Sequence, residues 1–126
     1  MPKKRRGQSP NKQLWTMPNI AWAAGFIDGE GSIGVYKSTH SFTACVQATQ
    51  NDPELLNRLL EIFGGLVDYN KNRHIYRWRL NNRNFIYPMI RELYSWFSRK
   101  RQKECQNVFD WYENVKPHWN TRKIDD

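Results

Sequence analysis

The stretch Ala23–Gly31, AAGFIDGEG, decides how this chain is read. Asp28 and Glu30 stand one residue apart, and a glycine follows each of them. Upstream, Ile20–Ile27 has the composition of a small-residue helix, predicted to run to about Asp28 and to be closed by Gly29 and Gly31. A helix C-terminus carries partial negative charge, so carboxylates are disfavoured there. Two acids at that end need compensating positive charge, and a hard divalent cation with oxygen ligands supplies it. The alternative is a pair of ordinary turn formers in a solvated loop.

Working outward, Thr16 or Asn19 can cap this first helix, and Pro18 suits an early helical position. Ala21, Ala24, Gly25 and Asp28 recur at three- and four-residue steps, which predicts one small-sided face where two helix backbones can approach. Trp22 and Phe26 point to another face, toward the core.

Downstream, SIGVYKS and FTACVQATQ alternate as half-buried strands, joined near Thr39–Ser41 into a hairpin. NDPELLNRLLEIFGG carries helix marks: Asn51 or Asp52 to cap, Pro53 to open, and an apolar face of Leu55, Leu56, Leu59, Leu60 and Phe63 before Gly64–Gly65. LVDYN and HIYRWRL form a second hairpin around Lys71–Arg73, with Arg73, Ile75, Arg77 and Arg79 on one face and His74, Tyr76, Trp78 and Leu80 on the other. NRNFIYPMIRELYSWF reads as a third helix, with Pro88 a kink or a late start, and RKRQKECQNVFDWYENV as a fourth. The order of elements is that of an α+β domain, a four-stranded antiparallel sheet backed by helices. Residues 1–15 read as a basic flexible tail, 16–116 as a single domain, and 117–126 as a C-terminal tail that can dock through Trp119.

The chain has 126 residues, 39% hydrophobic and 14% aromatic, enough for one core and too apolar for a disordered chain. No apolar run approaches the roughly 18 residues of a membrane span, and the basic start lacks the apolar core of a secretory signal. Cys45 and Cys105 form neither a disulfide framework nor a zinc motif, which predicts an intracellular protein. His40, His74 and His118 share no ligand spacing.

The net charge is +8, and its distribution says more than its size. Lys3, Lys4, Arg5, Arg6 and Lys12 make the start strongly basic, whereas residues 13–70 hold Lys37 and Arg58 against six acids. Residues 71–103 then carry ten Lys/Arg against the single acid Glu92. Such clustering points to nucleic acid. PKKRR by itself fits a nuclear-import signal, a phosphate-binding arm or a solubilising leader.

AAGFIDGEGS, closing a helix and opening a strand, resembles the LAGLIDADG motif of homing endonucleases, and the order of elements from Asn19 to Val115 is similar too. The resemblance implies an αββαββα fold with a saddle-shaped sheet and an extra C-terminal helix. It implies a site-specific double-stranded DNA endonuclease that hydrolyses phosphodiesters with Mg²⁺ or another divalent cation and leaves short 3′ overhangs. An RNA-splicing maturase, bound to intron RNA, or a non-cleaving DNA-binding regulator is the alternative on the same fold.

Only one copy of the motif is present, whereas two strands must be cut. A C₂ homodimer packed through Ala21, Ala24 and Gly25 brings two Glu30 side chains together over a pseudo-palindromic site. The second acid of the family motif binds metal, which maps to Glu30, where Asp is more usual. Gly29 matches the position whose carbonyl helps, and Asp28 matches the acid that holds the helix end and the dimer interface. Gln50 resembles the polar residue that positions solvent. Arg101 is the register match to a basic residue kept near the scissile phosphate, with Lys100 and Lys103 as substitutes.

The polar strand faces supply the candidate DNA contacts, namely Tyr36, Ser38, Gln47, Thr49, Asn70, Arg73, Arg77 and Arg79. Trp78, Tyr94, Trp96, Phe109 and Trp111 read as core rather than as stacking platforms.

Overall fold

The computed structural model describes residues 7–37 and 41–125, with side chains up to residue 114. Helix α1 spans Met17–Glu30; the Thr16 hydroxyl accepts the Asn19 amide at 3.4 Å, and Pro18 lies in the first turn. The helix therefore includes Gly29 and Glu30, two residues beyond the expected end. Gly31 closes it with φ −108°, an ordinary extended conformation, and donates its N–H to Ile27 O. Gly31 is wanted there for room: a Cβ would sit 3.0 Å from both Gln47 O and Ile27 Cγ2. The chain can thus turn from helix into sheet with no connecting loop.

Strand β1 (Gly31–Lys37) pairs antiparallel with β2 (Phe42–Gln50), Ile33 opposite Val46 and Tyr36 opposite Thr43. Helix α2 (Glu54–Phe63) follows, its first amide held by Asp52 Oδ1 at 2.8 Å. It buries Leu56, Leu59, Ile62 and Phe63, so Ile62 joins the expected apolar face and Leu55 leaves it for solvent. Strands β3 (Leu66–Asn70) and β4 (Ile75–Leu80) complete a sheet of order β1-β2-β4-β3. Arg73 and His74 fall in the turn before β4 rather than on the strand, and His74 takes φ +53°. Helix α3 (Arg83–Leu93) contains Pro88 inside it, so Pro88 is not a late start. A 3₁₀ turn at Tyr94–Trp96 leads into α4 (Arg99–Asp125), whose backbone continues through most of the segment read as a tail. The Trp119 side chain lies outside the described residues.

One sheet face carries Ile33, Ala44, Val46, Ala48, Trp78 and Leu80 onto α1, α2 and α3. Trp78 is completely buried, and its indole N–H donates to Gly64 O at 2.8 Å. That bond removes the one polar cost of burying so large a ring. Trp22 and Phe26 stack on each other, half-buried, with the Arg58 guanidinium 3.9 Å over the Trp22 ring. Among the aromatics expected in the core, Trp96 is instead 47% exposed. No helix among the described residues is long and apolar enough to cross a membrane.

Within the segment read as a tail, residues 7–15 are held by the domain, and residues 1–6 lie outside the described residues. Gln8 and Gly65 exchange two backbone hydrogen bonds of 2.7 and 2.8 Å, and the Trp15 indole N–H reaches Ile62 O at 2.9 Å. Residues 7–15 therefore lie against the end of α2. Gly64 and Gly65 receive them with φ of +78° and +100°, and a Cβ on Gly64 would run into Gln8 O. Gly64→Ala should accordingly lower stability by about 2 kcal/mol. Urea unfolding followed by Trp fluorescence checks this, and an unchanged midpoint contradicts it.

Candidate functional site

The two acids of AAGFIDGEG lead separate lives. Asp28 accepts two hydrogen bonds from Ser98, its backbone N–H at 2.9 Å and its hydroxyl at 2.7 Å. Ser98 immediately precedes α4, so the carboxylate meets the positive end of a second helix. Arg101, only 7% exposed, adds to this: its Nη2 donates to Asp28 O at 3.0 Å and its Nε lies 3.7 Å from Asp28 Oδ1. Its Nη1 pairs with Glu104 Oε1 at 2.6 Å. The positive charge that Asp28 needs is thus built into the chain.

Glu30 has no such arrangement. It is exposed, and among the described residues its polar partner is the Gln50 amide, Nε2 to Oε1 at 3.1 Å. Gln50 ends β2 and Glu30 ends α1, so the helix-to-strand junction at Gly31 is what brings them together. Among the described residues no three of His, Cys, Asp and Glu form a cluster. At this junction one chain therefore offers the Glu30 carboxylate, with the C-terminal carbonyls of α1 beside it. Hard oxygen donors of this kind suit Mg²⁺ or Ca²⁺, which complete their shells with water and phosphate.

Arg101 is placed differently from its expected post near a phosphate. Its guanidinium is buried and engaged by Asp28 and Glu104, whereas Lys100 and Lys103 on the same helix are exposed. Ala24 is likewise 1% exposed, in the chain's own core, and drops out of the free helix face. That face consists of Pro18, Ala21, Gly25 and Gly29, and nothing lies within 4 Å of a Cβ built on Gly25 or Gly29.

The polar sheet face collects most of the remaining candidates. Gln47 pairs with Arg79 and Thr49 with Arg77 across β2 and β4. Glu30, Gln47, Thr49, Asn70, Arg73 and Arg77 line one groove of about 330 Å³. Tyr36, 46% exposed, stands further along β1, and Ser38 lies outside the described residues. Asn70 Oδ1 accepts the Arg73 amide at 3.1 Å, so these two close the β3–β4 turn.

Two contributors escape the sequence reading. Asp68 sits opposite Arg77 and lies 3.8 Å from Arg77 Nε and 3.4 Å from Arg79 Nη2, drawing both guanidiniums toward it on the polar sheet face. Strand alternation puts it on that face, but only the register shows the pairing. Ser98 carries the signal of a serine just before a helix, an N-cap. Burial disfavours the thiolate at both cysteines: it raises the Cys45 thiol pKa against the pull of Arg79 and Arg77. Burial, helped by Glu104, pushes that of Cys105 up to about 12.

The family model described as LAGLIDADG endonuclease matches residues 23–115. No curated protein matches significantly. Among solved structures, the group I intron-encoded homing endonuclease I-CeuI, complexed with DNA, is 20% identical with a TM-score of 0.65, covering 86% of this chain and 61% of that one. I-GzeII, in complex with a DNA target, is 23% identical with a TM-score of 0.66, covering 82% and 39%. I-CvuI, bound to the I-CreI target in the presence of Mg, is 18% identical with a TM-score of 0.62, covering 69% and 61%. At these identities the likeness is one of fold. The matched part of this chain spans about three-fifths or less of each of these proteins.

Proposed function

Since the chain belongs to the LAGLIDADG endonuclease family, we propose that it is a site-specific double-stranded DNA endonuclease acting as a homodimer on a pseudo-palindromic site. The observation that carries this reading is Glu30, an exposed carboxylate at the rim of the groove that holds Arg77 and Arg73. Glu30 and the Gly29 carbonyl would hold a divalent cation, which supplies a polarised water and neutralises charge developing on the phosphate. Gln50, already bonded to Glu30, orients solvent and fixes the carboxylate rotamer. Lys100 and Lys103 are the exposed cations left to clamp the scissile phosphate, since Arg101 is engaged elsewhere. Paired hydrolysis at two nearby phosphates would leave short 3′ overhangs.

Two copies are needed because each brings one Glu30 to a duplex whose two strands must both be cut. The Pro18, Ala21, Gly25 and Gly29 face of α1 supports close packing of two such helices about a two-fold axis. Gly25→Leu meets open space within one chain, so it should leave the fold intact and block that packing. Sedimentation is expected to show monomers; an undisturbed dimer counts against this interface.

A two-stranded ribbon fits the major groove, where Arg pairs with guanine and Gln with adenine. The arginines of β4 must exchange Asp68 for DNA, so they are held in place before binding. Arg77→Ala and Arg79→Ala should each weaken binding by roughly 1–3 kcal/mol and relax base preference locally. Anisotropy titrations on single-base variants of a selected duplex test this, and unchanged affinity returns both residues to solvent.

A further inference from the structure

The groove that holds Glu30 and Arg77 is bordered by Gln47, and beyond Gln47 the same sheet face changes character. A depression of about 240 Å³ opens there between Tyr36, Thr43, Cys45, Gln47, Arg79 and Asn81. Its floor follows from the strand register. Cys45 stands opposite Gly34, whereas Tyr36 is opposite Thr43 and Gln47 opposite Arg79. Two small residues side by side thus leave a low point between longer neighbours. Gly34 also decides where Tyr36 lies. A Cβ on Gly34 would come within 3.1 Å of the Tyr36 hydroxyl and 3.2 Å of its Cζ, so the ring leans back along β1 over the glycine. The exposed Tyr36 ring becomes one wall of the depression.

The floor is apolar although it lies on the polar face. Cys45 is half-buried, and a thiol behaves as a small hydrophobic group with a weak S–H donor. Burial holds it in the neutral form even though Arg79 and Arg77 pull its pKa down. Tyr36 adds an aromatic ring at one end, and Gln47 and Arg79 bring hydrogen-bonding groups at the other. An apolar spot beside hydrogen-bonding side chains matches a base edge that carries a methyl group beside a polar atom. In the major groove thymine alone among the four bases has that edge, its C5-methyl group next to the O4 acceptor.

We infer that Tyr36, Thr43 and Cys45 form a subsite for the C5-methyl group of thymine, next to the base pair that Arg79 faces. This rests on the duplex-binding role proposed above. A methyl contact at a base edge carries sequence information, which the phosphate contacts of the same complex do not.

The test uses a duplex recovered from a random library by binding to the unmodified chain, with each thymine replaced singly by deoxyuridine. That replacement deletes the methyl group and leaves the base pairing unchanged. At one thymine per half-site, beside the base pair whose preference Arg79→Ala relaxes, it should weaken binding about 3- to 5-fold, the effect of burying one methyl group. Replacing both symmetry-related thymines should weaken it about 10- to 25-fold, because well-separated sites add in free energy. Cys45→Ser keeps the size of the side chain and makes the floor polar, so it should bind the thymine and uracil duplexes alike while preferences at other positions persist. Equal binding of every uracil duplex by the unmodified chain, a recovered site with no thymine at that position, or the same methyl dependence in Cys45→Ser each overturns the inference. Failure of the unmodified chain to recover any duplex overturns the underlying DNA-binding role instead, and the inference with it.

Discussion

Glu30→Gln leaves the chain folded and bound to duplex DNA while strand cleavage falls by about 10³-fold or more. The substitution keeps the shape of the side chain and the reach to Gln50, and removes the charge that would hold a divalent cation. Metal-assisted stabilisation is worth several kcal/mol, and each ~1.4 kcal/mol is a factor of ten in rate. Loss in the chemical step alone, with unchanged binding, is the signature of an interaction needed only in the transition state. A gel-based cleavage assay run beside an anisotropy titration separates the two. Cleavage at the unmodified rate in Mg²⁺ would remove Glu30 from the mechanism, and lost binding would make it structural.

The second large effect is expected at Arg101. Arg101→Ala strips a buried cation from two carboxylates and from the Asp28 carbonyl, leaving Asp28 to Ser98 alone. Removing the buried member of these part-exposed pairs costs about 2 kcal/mol, because the carboxylates left behind are only partly solvated. Arg101→Lys should rescue little, since an ammonium cannot reproduce a planar fork that serves Glu104 and the Asp28 carbonyl at once. Urea unfolding measures both variants. If Arg101→Ala unfolds at the unmodified midpoint while cleavage drops, Arg101 belongs at a phosphate after all.

The double-acid motif shows what was legible in the sequence and what was not. Its place at the end of a helix, next to a strand, follows from periodicity and small residues. The alternation in β2 and the apolar stripe of α2 fixed the sheet's buried face and its backing in the same way. Gln50 stood out only through its resemblance to a solvent-positioning residue; its hydrogen bond to Glu30 becomes visible once the helix-to-strand junction is placed.

What could not be read is where long-range partners converge. The cation that Asp28 requires comes from Arg101, 73 residues away, and the helix terminus it meets begins at Ser98. Charge counting put Arg101 among ten basic residues with no way to see that it alone is buried. Ala24 fails for a similar reason: a small residue suits a helix–helix interface and a tight core equally. The docking of residues 7–15 was hidden because polar, Pro- and Gly-containing segments look solvated unless their receptor is known. Here the receptor is a pair of glycines fifty-seven positions on.

In the proposed dimer, two copies of Glu30 serve the two strands of one DNA site. Incubating the unmodified chain with a random duplex library and Mg²⁺, then sequencing the ends, tests it most directly. A palindromic consensus with short staggered 3′ ends is expected, absent with Glu30→Gln. Intact duplexes throughout, or single nicks without symmetry, would contradict it.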